Sequence, residues 1–502
     1  MEVRPSALIE YPRTSPSRRR SNAQAAAIAA ALAPAILASI LLASCAGGPK
    51  SATAKPQAAS AKVSTKEPSP QERRMQAVET AAAMLDKGDA AKAADKLGEL
   101  AAASPSDPEL RLAQSAALVS AGKIAEARKG VDKVLETDPK NLHALAMGAE
   151  LAHFDGDESS RRSYLDKALA AAPTDASVLS SWGDYYLDAK AWPKAEDFYK
   201  RALAANPKSA DASLGLGRTL YREAKYPEAE AQLTTAIELE PASPLAYSDR
   251  SRARYQQGKY KESEADLDTA VSKAPDESWL YLDRGRYRLD KADMAGAESD
   301  FDRAISLDPG YFLSYAYRGG IREEAGKDEL ALADYRKVIE LYPDYWYAFE
   351  SAGAACFRLG LWAESAADFK RAFAASPDRY EYAIASALAL WRLGKPKDAA
   401  AFAASVASRV DREKNGIYWN ILRLIQDQND ASSDLELSIQ TEKKLDLKSA
   451  MLFYLSEYWL CRGKTELASK YLSLGEEMKR EGTLEYRLLL AERKRLAAGT
   501  NG

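Results

Sequence analysis

Large apolar and small residues recur with a period of 34 residues over residues 74–413. If each repeat is counted from Arg74 onward, position 24 carries a large side chain in Leu165, Tyr199, Leu233, Leu267, Phe301, Tyr335 and Phe369. Position 8 is Gly183, Gly217, Gly285, Gly319 and Gly353 in five repeats and Ala or Ser in the others, and position 20 is mostly Ala. Small residues at two such positions let two helices approach closely. The pattern therefore predicts one packed helix pair in each repeat.

Proline and glycine mark where these helices end. Nine prolines share position 32: Pro105, Pro139, Pro173, Pro207, Pro241, Pro275, Pro309, Pro343 and Pro377. Position 15 is Gly in seven repeats: Gly88, Gly122, Gly156, Gly258, Gly326, Gly360 and Gly394. Glycine accepts the left-handed conformation that often closes a helix, and proline cannot continue one. We therefore predict an all-α array of ten 34-residue repeats over residues 73–413, a period known from helical arrays.

The repeat resembles the tetratricopeptide repeat family. Residues 281–309, YLDRGRYRLDKADMAGAESDFDRAISLDP, carry much of the family motif in order. The resemblance implies an α-solenoid of about ten to twelve antiparallel helix pairs, wound as a right-handed superhelix with a concave groove. Residues 414–502 keep the pattern only partly. We interpret them as degenerate repeats with a polar loop near residues 426–434 and a C-terminal capping helix.

The same resemblance places positions 2, 5, 9, 12 and 13 of each first helix in the groove. Those positions hold Arg218, Arg252, Arg286, Tyr221, Tyr255, Trp279, Tyr347, Phe357 and Trp391. Arginine with aromatic residues is the composition that protein-binding surfaces favour. We therefore predict that the groove holds a segment of another protein with acidic character. The alternative is that the arginines pair with carboxylates of the array itself, such as Asp184, Asp211, Asp290 and Glu323.

A second set of arginines is matched by aspartates. Position 7 carries Arg250, Arg284 and Arg318, position 11 carries Arg254, Arg288 and Arg322, and position 23 carries Asp266, Asp300, Asp334 and Asp368. We interpret positions 7 and 23 as a structural ion-pair ladder between helices, either within a repeat or between neighbours.

The first 72 residues differ from the repeats. Three arginines, residues 18–20, precede 29 uncharged residues rich in Ala, Leu and Ile, which is the composition of a secretory signal. The run ends in Leu-Ala-Ser-Cys45, which resembles a bacterial lipobox. That resemblance implies a signal peptide over residues 1–44 and a lipid anchor on Cys45. An uncleaved membrane anchor is the alternative, because the run is long enough to span a bilayer. Residues 45–72, rich in Ala, Ser, Pro and Lys, are expected to be a disordered tether.

These features together predict a membrane-tethered scaffold in the bacterial cell envelope that binds partner proteins, either a peptide segment or an envelope assembly component. Ala46 after the lipid cysteine favours the outer membrane, facing the periplasm, over the inner membrane. The second interpretation is an envelope protein that binds carbohydrate or cell wall, or assists polysaccharide export, with groove aromatics stacking on sugars.

Composition argues against other classes of function. The net charge of −3 argues against a nucleic-acid partner, which usually requires a basic excess. His143 and His153 are the only histidines, and ten residues along a helix separate them by about 15 Å, too far to share a metal. No phosphate-binding glycine loop, nucleophile elbow or cysteine–histidine cluster is present. We therefore predict no catalytic residue, no metal and no cofactor, and expect Cys356 to be buried and inert.

Overall fold

The computed structural model describes residues 70–429, 432–480 and 482–499 of the chain. The predicted signal peptide, Cys45 and most of the predicted tether lie outside the described residues. The first helix begins at Pro70, three residues inside the predicted tether, and proline suits the first helical turn. The described ranges contain 25 helices and no strand, which confirms the all-α prediction. None of these helices is long and apolar enough to cross a membrane.

The chain divides into two compact units, Met1–Lys273 and Ala274–Gly502. The first unit contains six helix pairs. In most pairs three residues connect the two helices, and four residues usually connect one pair to the next. Its helices are α1 Pro70–Asp86, α2 Ala90–Ala103, α3 Pro108–Ser120, α4 Ile124–Thr137, α5 Leu142–Asp155, α6 Glu158–Ala171, α7 Ala176–Asp188, α8 Trp192–Ala205, α9 Ala210–Arg222, α10 Tyr226–Leu239, α11 Pro244–Gln256 and α12 Tyr260–Lys273. Within this unit, each helix packs on its sequence neighbours, as expected for a helical repeat array.

The second unit continues with four helix pairs and then five further helices. The pairs are α13 Ser278–Asp290 with α14 Met294–Leu307, α15 Phe312–Glu324 with α16 Asp328–Leu341, α17 Tyr347–Leu359 with α18 Trp362–Ala375, and α19 Tyr380–Arg392 with α20 Pro396–Ala407. The remaining helices are α21 Arg412–Asp427, α22 Ser433–Thr441, α23 Leu445–Cys461, α24 Thr465–Glu476 and α25 Leu484–Gly499. The connection between α21 and α22 is therefore shorter than the predicted loop. Asp411, which replaces the proline of the last repeat, caps α21 by accepting from the backbone N–H of Glu413.

The residue at position 15 adopts the left-handed conformation in all ten repeats. Seven are the predicted glycines, with φ between 69° and 80°. The other three are Lys190, Ala224 and Ala292, with φ of 57°, 59° and 61°. Non-glycine residues are strained in this region, so the turn between the two helices imposes its geometry even where the side chain disfavours it.

Position 8 is small because the residue at position 24 of the same repeat packs directly on it. A Cβ atom on Gly285 would lie 2.7 Å from Cε1 of Phe301, and one on Gly183 would lie 2.6 Å from the same atom of Tyr199. Both aromatic side chains are fully buried. The two helices of such a pair can approach closely because the glycine at position 8 leaves room for the large side chain at position 24, as the repeat pattern predicts.

Candidate functional site

Two of the predicted groove arginines, Arg218 on α9 and Arg252 on α11, lie around one carboxylate in the first unit. Asp249 Oδ2 lies 3.4 Å from Nε of Arg218, and Asp249 Oδ1 accepts a hydrogen bond from Nη1 of Arg252 at 2.9 Å. The Asp249 side chain is 8% exposed, whereas those of Arg218 and Arg252 are 30% and 32% exposed. The two guanidinium groups therefore share a largely buried anion and keep part of their surface open to solvent.

Asp249 is not among the four carboxylates that the sequence suggests as internal partners. Of those four, Asp184 accepts a hydrogen bond from the Tyr199 hydroxyl at 2.6 Å. The signal for Asp249 was available in the sequence, because it precedes Arg252 by three residues, and side chains at that spacing meet on a helix surface. Internal pairing of Arg218 and Arg252 is thus present through Asp249. The Arg218 charge also opposes the rise that burial causes in the pKa of Asp184, one of the predicted partners.

Tyr221 and Tyr255 lie on the same two helices and are both half-buried. Each ring contacts the tyrosine five residues later, Tyr226 at 5.6 Å and Tyr260 at 5.3 Å between ring centroids. Burial raises the pKa of the Tyr221 hydroxyl, so it remains a neutral hydrogen-bonding group. The first unit therefore brings together two arginines and two tyrosines of the predicted groove.

The remaining predicted groove residues belong to the second unit. Arg286 lies over the ring of Tyr317, with its guanidinium carbon 5.7 Å from the ring centroid. The indole N–H of Trp279 donates to Glu277 at 3.1 Å, and Tyr347 is half exposed. Sequence reasoning missed Tyr317 as the neighbour of Arg286, although an aromatic residue at its position is unusual among the repeats.

The C-terminal helices cover the first helices of the last two repeats. Helix α25 packs on α17, and α23 packs on α19. Phe357 is consequently fully buried, with its ring centroid 5.9 Å from that of Phe453, and Trp391 is half-buried against Tyr458 at 5.4 Å. This placement corrects the prediction that Phe357 lines an open groove, because helices α23 and α25, which are distant in sequence, cover that position.

Polar contacts join helix α25 to the groove positions beneath it. Nη1 of Arg487 donates to Glu323 at 2.8 Å, and Nη2 of Arg495 donates to the carbonyl oxygens of Phe357 and Arg358 at 3.0 and 2.9 Å. The Arg495 guanidinium also lies over the Trp362 ring at 5.1 Å. The terminal helix thus satisfies polar groups at positions 12 and 13, where the resemblance places partner contacts.

Glu457 on α23 is a fully buried acid at this contact. Nη1 of Arg392 donates to its Oε2 at 3.1 Å, while its other oxygen has no hydrogen-bond partner. Burial raises the pKa of the Glu457 carboxyl to about 7, against the opposing effect of the Arg392 charge. We therefore expect the packing of α23 on α19 to depend on pH near neutrality.

The predicted ion-pair ladder is confirmed for Asp266, Asp300 and Asp334, whose pairs form within a repeat, whereas Asp368 pairs with Arg336 of the preceding repeat at 2.7 Å. In the second unit, Arg284 donates to both oxygens of Asp300, from Nε at 3.0 Å and from Nη2 at 2.7 Å. Arg288 adds a third hydrogen bond to the same carboxylate at 2.8 Å. The bidentate geometry recurs between Arg250 and Asp266 in the first unit and between Arg318 and Asp334 in the second.

Position 11 arginines also reach the preceding repeat. Arg254 donates to Glu230 and Arg322 donates to Glu298, each at 2.9 Å. The Arg322 guanidinium holds the pKa of the Glu298 carboxyl below its usual range. These arginines therefore link neighbouring repeats through largely buried ion pairs. We interpret their role as structural and not as ligand binding.

The described residues contain no group of three or more His, Cys, Asp or Glu side chains placed to hold a metal ion. Cys356 is buried, as predicted, and burial raises the pKa of its thiol to about 11, so the thiol is protonated at neutral pH.

Comparison with known proteins agrees with this architecture. A tetratricopeptide repeat family model matches residues 84–151 and 186–248, and a second model of the same description matches residues 158–210 and 282–345. A comparison with curated proteins found no match. The matched segments are tetratricopeptide repeats, which supports the assignment of the chain to this family. Proteins of this family bind other proteins, and the fold is typically a non-catalytic scaffold.

The similar solved structures are distant in sequence. The APC/C hetero-tetramer Cut9-Hcn1 matches with 18% identity and a TM-score of 0.45, covering 60% of this chain and 59% of that chain. A tetratricopeptide repeat protein from Parabacteroides merdae has 23% identity and a TM-score of 0.38, covering 46% of this chain and 92% of its own. The pilF protein of Pseudomonas aeruginosa has 19% identity and a TM-score of 0.36, covering 42% and 95%. This chain therefore spans less than two thirds of the first structure's length.

Proposed function

We propose that this protein is a membrane-tethered scaffold of the bacterial cell envelope that binds acidic segments of partner proteins through Arg218 and Arg252. The observation that carries the proposal is the shared carboxylate. Two arginines, each about a third exposed, are held beside one buried aspartate. A partner carboxylate would add a second anion to this pair of cations, and arginine binds carboxylates with two parallel hydrogen bonds.

The neighbouring side chains support a protein ligand. Tyr221 and Tyr255 place half-buried rings on the same helices as the arginines, and tyrosine with arginine is enriched where binding energy concentrates. Asp249 orients both guanidinium groups before a ligand arrives, which reduces the entropy lost on binding.

The envelope location rests on the N-terminal sequence. An apolar run that ends in Leu-Ala-Ser-Cys45 supports lipidation of that cysteine, and the following residues are long and polar enough to separate the repeats from a membrane. Ala46 favours the outer membrane. Assembly or recruitment of envelope components is the role that such a tethered scaffold would serve.

The partner-binding site is tested by crosslinking and capture from cells. Wild type is compared with the double variant Arg218→Gln and Arg252→Gln, which removes both charges and keeps similar side-chain length. We expect wild type to capture a partner that the variant loses, and we expect capture to weaken as salt is raised, because exposed charge pairs are screened.

The matched control is Arg201→Gln on the second helix α8, whose side chain is 46% exposed and pairs with Asp197 at 3.7 Å. It removes one exposed arginine of the same unit outside the proposed site. The proposed site is refuted if the control and the double variant lose the same partner, or if neither loses it. Thermal unfolding of all three proteins separates loss of binding from loss of fold.

The membrane tether is tested separately with Cys45→Ser. We expect wild type in the membrane fraction, labelled by a lipid probe, and the variant unlabelled and unprocessed or released. Equal labelling of the two proteins would exclude lipidation at Cys45 and leave the partner site untouched.

A further inference from the structure

The second half of helix α25 lies over groove positions of the last two repeats, yet it has no fully buried apolar side chain. Leu488 and Leu489 in the first half are fully buried. Among the described residues of α25 after Leu489, only Glu492 is buried, and Leu496 is partly buried against the core. Residues 490–498 are here called the cover segment. Apolar packing therefore anchors the first half of α25, whereas the cover segment depends mainly on polar contacts.

Arg495 holds the cover segment on α17 and on the start of α18. Its Nη2 donates to the carbonyl oxygens of Phe357 and Arg358, and its guanidinium carbon lies 5.1 Å from the centroid of the Trp362 ring. The Arg495 side chain remains partly exposed. Backbone carbonyls accept hydrogen bonds from a guanidinium, and an aromatic face attracts its charge. This part of the groove is thus suited to an arginine that a helix presents.

Glu492 makes poor contacts in the same interface. Its side chain is 1% exposed, and neither carboxylate oxygen has a hydrogen-bond partner. Its Oε2 lies 3.5 Å from Nη1 of Arg392, but that nitrogen already donates to Glu457 at 3.1 Å. Glu492 also pairs with Arg495, again without a hydrogen bond. A buried charge without hydrogen bonds costs free energy, so Glu492 opposes the docking of the cover segment.

A glutamate at this position weakens a contact that an apolar residue would strengthen. Leucine has a similar volume and would leave Arg392 to pair with Glu457 alone, and exchanging buried charge for apolar packing is often neutral or stabilising. Departures from a packing rule tend to fall at functional positions. A segment tethered in the same chain competes at an effective concentration on the order of millimolar. Another helix can therefore displace the cover segment only if the cover segment docks weakly, and Glu492 provides that weakness.

We infer that the cover segment is displaceable and that the groove beneath it binds an amphipathic helix of a partner protein. That helix presents an arginine to the Trp362 ring and the Phe357 carbonyl, as Arg495 does, and an apolar residue where α25 has Glu492. Such docking follows the general mode in which a helix lays its apolar face into a groove. The site lies in the second unit and takes a basic helix, whereas the site proposed above takes an acidic segment.

The test measures fluorescence anisotropy of labelled peptides that span residues 483–499, titrated with the purified full-length protein. One peptide has the natural sequence, a second carries Glu492→Leu, and a third carries both Glu492→Leu and Arg495→Ala. We expect the second peptide to bind at least tenfold more tightly than the first, because it buries no unpaired carboxylate. The third should lose at least tenfold relative to the second, because its arginine contacts are missing.

Two variants of the protein should change this binding in opposite directions. Arg495→Gln loosens the protein's own cover segment, so the second peptide should bind at least tenfold more tightly than to wild type. Glu492→Leu in the protein tightens its own cover segment, so the same peptide should bind at least tenfold more weakly. The latter protein should also melt at a higher temperature, which separates loss of binding from loss of fold.

Hydrogen exchange tests the displacement itself. Local opening exposes the amides of a weakly docked segment before the whole protein unfolds. In wild type we expect the amides of the cover segment to exchange at least tenfold faster than those in the middle of α23. In the Glu492→Leu protein this difference should shrink.

The matched control is Arg423→Gln on α21, because that arginine is 41% exposed, pairs with Asp427 at 3.0 Å and lies over the Trp419 ring. It should bind all three peptides as wild type does, as should the double variant Arg218→Gln and Arg252→Gln.

The inference is overturned if no peptide binds, if wild type and the Arg495→Gln and Glu492→Leu proteins bind the second peptide equally, or if the cover segment is as protected as α23. Concentration-dependent dimers of the Arg495→Gln protein would assign the groove to α25 of a second copy and overturn the assignment to a partner protein.

Discussion

Replacing Asp300 by Asn should destabilise the second unit by removing the centre of a buried charge cluster. The Asp300 side chain is 3% exposed and accepts three hydrogen bonds, two from Arg284 and one from Arg288. Asparagine has nearly the same shape, but it is neutral and presents an NH2 group. That group would face guanidinium N–H donors and could not accept their hydrogen bonds.

The size of the effect follows from the burial of the partners. Removing one member of a buried ion pair costs about 3–5 kcal/mol, because the other charge is left without compensation. Here Arg284 and Arg288 are 16% and 24% exposed, so water solvates part of the stranded charge. We therefore expect the free energy of unfolding to fall by about 2–4 kcal/mol.

The assay combines urea denaturation, followed by circular dichroism, with native-state hydrogen exchange. Repeats contact mainly their neighbours, so we expect protection to fall first in α13 and α14. The control is Asp276→Asn, whose side chain is 90% exposed and lies 3.5 Å from Arg303. Exposed pairs contribute about 0–1 kcal/mol, so the control should unfold close to wild type. An Asp300→Asn protein that is no less stable than the control would refute the structural role of the ladder.

Three further predictions concern packing, backbone conformation and pH. Gly285→Leu should lower the unfolding free energy by about 1–3 kcal/mol, because the new Cβ would lie 2.7 Å from Phe301. Gly320→Leu should not, because the space around Gly320 is open. Equal melting temperatures of the two variants would contradict the packing argument. Ala224→Gly should stabilise by about 0.5–1 kcal/mol, because φ is 59° and the side chain is exposed, and a lower denaturation midpoint would contradict this. Burial raises the pKa of Glu457 from 4.5 to about 7, so between these pH values the folded protein keeps a proton that the unfolded chain has lost. The stabilisation from this proton is therefore full below pH 4.5 and falls by about 3 kcal/mol as pH rises through 7. Urea titrations from pH 4.5 to 8 should show this decline in wild type and a flatter profile in Glu457→Gln.

The periodic features of the fold were predictable from the sequence because each depends on contacts within one repeat. Gly285 and Phe301 are 16 residues apart, as are Arg284 and Asp300, and both pairs recur at the same positions in neighbouring repeats. A local contact that recurs every 34 residues leaves a visible pattern. The left-handed conformation of Lys190, Ala224 and Ala292 has no such pattern in the sequence, because the turn geometry overrides the preference of those residues.

The candidate site was predictable only in part. Arg218 and Arg252 follow from the repeat positions, but their shared partner Asp249 occupies a position that is acidic in only some repeats.

By itself, the sequence determined the repeat length, the helix pair, the small-to-large packing and the charge ladder, because all of these are set by residues close along the chain. Only the tertiary structure decided that Phe357 is buried and that the terminal helix occupies the groove positions of the last repeats. Arg495 reaches the Phe357 carbonyl across 138 residues, and this contact occurs once. A contact between distant segments that is not repeated has no period, so its partners can be identified only when the folded chain brings them together.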